Sequence, residues 1–115
     1  MLTIFGIKNC DTIKKTKKYF EQKSVDFEFH DYRADGLDKD WLDTVLNKLD
    51  WEQVLNKRGT TWRQLSDEQK AAVSRDNVAE LLLQHPAMIK RPIIEVDGEY
   101  ILGFSAKQLD ERFSR

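Results

Sequence analysis

Ile4-Phe5-Gly6-Ile7-Lys8-Asn9-Cys10-Asp11-Thr12-Ile13-Lys14-Lys15 is the stretch from which the rest of the chain can be placed. An apolar run ends in Gly6, a short polar turn follows, and the only cysteine of the chain then stands where a helical pattern begins. A helix start aims unpaired backbone N–H groups and the positive end of the macrodipole at whatever sits there. A thiol in that position loses its proton more readily than a free one. Cys10 is therefore a candidate nucleophile. Lys14 and Lys15 favour the thiolate and Asp11 opposes it. The competing assignment is a small buried apolar residue, the commoner fate of an unpaired cysteine.

Working outward, Leu2 to Phe5 reads as a short buried strand. From Asp11 to about Lys23 the residues Ile13, Thr16 and Phe20, with Tyr19 beside Phe20, repeat at helical spacing, and Lys14, Lys15, Lys17 and Lys18 fill the solvent face. Val25, Phe27 and Phe29 then alternate with Asp26, Glu28 and His30, the period of a strand. Strand, helix and strand make a βαβ unit, whose strands run parallel with a right-handed crossover.

After Asp35-Gly36, Leu37 to Leu49 returns as a helix with Leu37, Trp41, Leu42, Val45, Leu46 and Leu49 on one face. Trp51, Val54 and Leu55 suggest a single helical turn, and Asn56 to Thr61 reads as a polar, basic loop. Ser66-Asp67-Glu68-Gln69 is a capping box opening a short helix. Val78, Leu81 and Leu82 mark another, ended by His85-Pro86. Ile93 to Val96 and Tyr100 to Leu102 flank Asp97-Gly98, a hairpin signal with Glu99 opening the second strand. Ser105-Ala106-Lys107-Gln108 is a second capping box, starting a C-terminal helix through Leu109 and Phe113. The order is βαβ, a helical section, then ββα. It predicts an α/β, thioredoxin-like fold with one four-stranded mixed sheet, a single domain over residues 1–115 with a helical insert at about 37–85.

The bulk numbers bound the function. The chain has 115 residues, 40% hydrophobic and 34% charged, which suits one folded domain able to bury roughly two thirds of its unfolded surface. Nineteen Lys plus Arg against 20 Asp plus Glu leave a net charge of -1, which argues against general nucleic-acid affinity. One cysteine excludes an internal disulfide, and no apolar run reaches the length of a membrane span. The cytoplasm is the expected compartment, where a lone thiol stays reduced.

Three motifs, Phe5 to Thr12, Leu55-Asn56-Lys57-Arg58-Gly59-Thr60-Thr61-Trp62 and His85-Pro86-Ala87-Met88-Ile89-Lys90-Arg91-Pro92-Ile93, resemble the arsenate reductase-like family. That family includes glutathione-linked arsenate reductases, the Spx regulators and the YffB-type reductases, and the chain resembles the YffB-type branch most. The resemblance implies that Cys10 is the nucleophile, that Arg91, before a Pro92 in the cis form, binds an anion, and that glutathione is the external reductant. Two further arginines of the arsenate reductases fall by alignment on Asn56 and Gly103, neither of them a cation, which counts against arsenate reduction. The second cysteine of Spx regulators falls on Ile13, so an internal dithiol switch is ruled out.

The resulting expectation is a glutathione-dependent thiol reductase acting on a small thiol, disulfide or oxyanion, with no metal, nucleic acid or membrane partner. Cys10 is its catalytic residue, and Arg91, Pro92, Asn9, Thr12, Lys57 and Arg58 are its substrate-binding residues. The alternatives are an Spx-like non-catalytic regulator contacting RNA polymerase and a true arsenate reductase. Set against these roles, Asn56, Lys57, Arg58 and Arg63 are an ordinary solvated loop, and Trp41, Trp51 and Trp62 are packing residues. His85 is expected to cap a helix end and His30 to lie on an exposed strand face, since the two lack the spacing of a metal site.

Overall fold

The computed structural model describes residues 2–8 and 10–113. The chain divides into two units, Met1–Asp31 with Arg91–Arg115, and Tyr32–Lys90. The first carries the sheet, in the order β2-β1-β3-β4, where β1 is Leu2–Gly6, β2 Phe27–Asp31, β3 Ile93–Val96 and β4 Glu99–Leu102. β1 and β2 are parallel, with Gly6 opposite Asp31, whereas β3 runs antiparallel to both β1 and β4. This is the thioredoxin-like arrangement expected from the element order. Asp97 and Gly98 adopt φ of 52° and 79°, the left-handed pair that a two-residue hairpin turn needs.

Helix α1, Asp11–Gln22, supplies the crossover. Its apolar stripe of Ile13 and Phe20, with Tyr19, packs on Leu2, Ile4, Ile94 and Val96 of one sheet face, together with Leu109 of α7, Ala106–Phe113. Phe20 is fully buried, worth about 1.5–3 kcal/mol of transfer free energy. The solvent face of α1 is lysine-rich as expected, except that Lys17 lies over the Phe29 ring, 3.9 Å from its centroid, and covers it. The phenol of Tyr19 donates to Asp110 at 2.7 Å, tying α1 to α7. Burial, then this bond and the Asp110 charge, push the phenol up to about 12.

The sheet corrects one expectation. His30 is half-buried, with its ring 5.2 Å from that of Phe5, because parallel register sets the two residues side by side.

The second unit is helical: α2 Lys39–Lys48, α3 Trp51–Val54, α4 Thr60–Arg63, α5 Asp67–Ala72 and α6 Val78–Gln84, followed by a 3-10 turn at Pro86–Met88. Its buried residues include Leu42, Val45, Leu46, Val54, Leu82 and Ile89. Both halves of the Ser66–Gln69 capping box form. The helical turn α4 begins at Thr60, inside the stretch Asn56 to Thr61 that was expected as a loop, and runs beyond it to Arg63. Asn56 Oδ1 accepts the Arg58 N–H at 3.1 Å, turning the chain so that Gly59 can start a helix. His85 closes α6 through its backbone N–H to Leu81, and its side chain does not cap the turn that follows. Among the described residues no helix is long and apolar enough to cross a membrane.

The end of α1 offers a direct test. Ser24 has φ of 57°, Val25 N–H donates to Phe20 O at 3.0 Å and Ser24 N–H to Glu21 O at 3.1 Å, a Schellman cap with a non-glycine residue in the left-handed region. Ser24→Gly should therefore raise stability by about 1 kcal/mol, read as a higher urea midpoint at unchanged slope.

Candidate active site

The site is assembled where β1 ends and α1 begins. Gly6, the last residue of β1, meets the side chain of Ile13: a Cβ built on Gly6 would overlap it, with Ile13 Cγ1 at 3.0 Å and Arg91 Cδ at 3.9 Å. The absent side chain thus lets the first turn of α1 and the stem of Arg91 approach the strand end. Lys8 N–H, in the intervening turn, donates to Asp31 Oδ2 at 3.1 Å.

Cys10 is the N-cap residue of α1, with extended backbone (φ -96°, ψ 132°), and Lys14 N–H donates to its carbonyl at 3.0 Å. Burial by itself pushes the thiol up. The backbone N–H of Ile13, the side chain of Arg91, the N–H of Thr12 and the Arg91 charge outweigh that effect and hold it below its ordinary value. The expected help from Lys14 and Lys15 is not among these causes, since both side chains lie exposed on the solvent face of α1. The half-buried Cys10 packs at the border of the sheet's apolar cluster while remaining open to a reactant.

Of the residues singled out from the sequence, Cys10, Thr12, Arg91 and Pro92 come together in this unit. Thr12 contributes its amide, and its carbonyl accepts Thr16 Oγ1 at 2.7 Å. The Arg91–Pro92 bond is cis, and Pro92 O accepts the Gly103 N–H at 2.8 Å. Asn9 lies outside the described residues. Lys57 and Arg58 belong to the helical unit, where both are exposed and Lys57 Nζ sits 5.7 Å from the Trp62 ring centroid. Asn56 spends its side-chain oxygen on the local turn. Sequence inspection missed Gly6 and Asp31. A signal for Gly6 was present, a glycine directly before the turn, whereas Asp31 closes an ordinary alternating strand.

The arrangement is a single thiol at a helix start, with a guanidinium at its sulfur that favours the thiolate. It can attack an electrophilic sulfur or oxyanion centre and hold an adjacent anion.

Residues 5–112 match the ArsC family. An uncharacterised protein of Haemophilus influenzae is 40% identical over 99% of this chain and 100% of its own length. The solved structure of the protein YffB superposes with a TM-score of 0.93 at 37% identity, covering 99% of this chain and 100% of that one. An arsenate reductase-related protein from Brucella melitensis superposes with a TM-score of 0.80 at 43% identity, covering 99% of this chain and 95% of that one.

Two outcomes follow from the site's electrostatics. The pH midpoint for alkylation of Cys10 by iodoacetamide should lie below the free-thiol value of about 8.5, and Arg91→Gln should raise it. Folding lowers the Cys10 pKa, so the thiolate stabilises the folded state fully above the unfolded pKa, and that contribution disappears as pH falls through the folded one. The stability difference between the native sequence and Cys10→Ser, from urea midpoints, should accordingly grow with pH across that interval.

Proposed function

The chain belongs to the ArsC family, and on that premise we propose that it is a glutathione-dependent thiol reductase working through one cysteine. The observation that carries this reading is the Cys10 thiol held below its ordinary pKa by Arg91 and two helix-start amides, in a chain with no second cysteine.

In this mechanism the Cys10 thiolate attacks the glutathionyl sulfur of a mixed disulfide. The new bond joins Cys10 to glutathione, the old disulfide bond breaks, and the substrate leaves as a thiolate that takes a proton from water. A second glutathione thiolate then attacks the glutathionyl sulfur on Cys10, releasing oxidised glutathione and restoring the thiolate. The net exchange consumes one glutathione thiol: the substrate sulfur returns to the thiol, and the two glutathionyl groups leave joined as oxidised glutathione. The outside thiol is needed because Ile13 stands where a resolving cysteine would be. Arg91 holds a glutathione carboxylate, Thr12 and Ile13 amides hold the sulfur charge, and Pro92 walls the site. A cytoplasmic setting, the compartment we infer from a lone free thiol, supplies the glutathione.

A glutathionylated peptide assay, coupled through glutathione reductase to NADPH oxidation, tests this. Turnover is expected, with Cys10→Ser abolishing it and Arg91→Gln raising KM for glutathione about tenfold through loss of a charge-assisted hydrogen bond. Turnover surviving in Cys10→Ser would sink the mechanism. Replacing the peptide with arsenate in the same assay tests the family's other chemistry, and little or no activity is expected.

A further inference from the structure

We propose that Asp31 is a positioning residue for Cys10: its buried carboxylate holds the Lys8 amide and thereby fixes the loop that delivers the thiol to the start of α1. The proposal rests on Cys10 being the reactive thiol. Asp31 is the last residue of β2, opposite Gly6 in the parallel register, and is 7% exposed. Lys8 lies beyond the end of β1 and only two residues before Cys10, with its own side chain in solvent. Its N–H, donated to Asp31 Oδ2 at 3.1 Å, ties the loop to a strand 23 positions away in sequence.

A plain core position at the end of β2 would be better filled by valine or leucine, because a buried carboxylate is costly unless its oxygens accept hydrogen bonds. Here the carboxylate accepts a backbone amide that the β1 ladder has no further strand residue to satisfy. Only Ile7, Lys8 and Asn9 separate Gly6 from Cys10, so anchoring the middle residue leaves the sulfur little freedom. That freedom matters, since hydrogen bonds from Thr12, Ile13 and Arg91 weaken steeply with angle and distance. The charge of Asp31 would, if anything, oppose a nearby thiolate. Its contribution is positional, and an asparagine oxygen can replace it.

The test is the pH profile of Cys10 alkylation by iodoacetamide in the full chain, for the native sequence, Asp31→Ala and Asp31→Asn, together with amide hydrogen exchange at Lys8. Asp31→Ala should raise the midpoint and lower the rate at pH 7 about tenfold, while Asp31→Asn stays within about threefold of the native rate. The Lys8 amide should exchange slowly in the native protein. An Asp31→Ala profile that coincides with the native one, or an Asp31→Asn profile displaced as far as that of Asp31→Ala, overturns the proposal. So does an unprotected Lys8 amide in the native protein, a result that needs no variant to fold. A native midpoint at the ordinary thiol value overturns the assignment of Cys10 itself, and is separable from a failure of Asp31 alone.

Discussion

The contact between Gly6 and Ile13 is the constraint on which the site depends. Ile13 is 1% exposed and occupies the space that a side chain on Gly6 would claim. Helix α1 is thereby seated with its first turn against the end of β1, and its unsatisfied amides gather where Cys10 stands. One packing requirement thus sets both the crossover geometry of the βαβ unit and the electrostatic setting of the thiol. A substitution that enlarged Gly6 would be felt in the core and at the sulfur alike.

Around that contact the site balances opposed effects. Partial burial disfavours the thiolate, and a half-buried cysteine with nothing further would be inert. Two backbone amides and a guanidinium reverse the balance. The amides come from the helix and the guanidinium from the segment entering β3, so the lowered pKa of Cys10 is a property of the unit and not of its local sequence. The apolar cluster of Ile4, Ile13, Phe20, Ile94 and Leu109 holds those segments at fixed separation.

Legibility in the sequence followed the strength of local signals. The hairpin was readable because Asp97-Gly98 meets a backbone demand that few residue pairs satisfy, and the Ser66–Gln69 capping box because its reciprocal bonds are local. Helix α4 was not readable. Its start depends on Asn56 folding its side chain back onto the Arg58 amide, a choice that composition does not announce. His30 was misplaced for a related reason: alternation assigns a residue to one sheet face, but whether that face is covered depends on its neighbours across the ladder.

The sequence by itself determined the order of the elements other than α4, the strand–turn–helix setting of Cys10 and the lack of a second thiol, because periodicity, turn chemistry and residue counts are local or additive properties. Only the tertiary structure decided which cation serves the sulfur. Lys14 and Lys15 are near Cys10 in sequence, yet the helix turns them to solvent, while Arg91, some 80 positions away, reaches the thiol through the pairing of β1 with β3. The anchoring of Lys8 by Asp31 is of the same kind, a bond across 23 positions that exists only once β2 lies beside β1. Electrostatic and hydrogen-bonding partners are chosen by distance in space, and that distance is set by the packed sheet and helix rather than by separation along the chain.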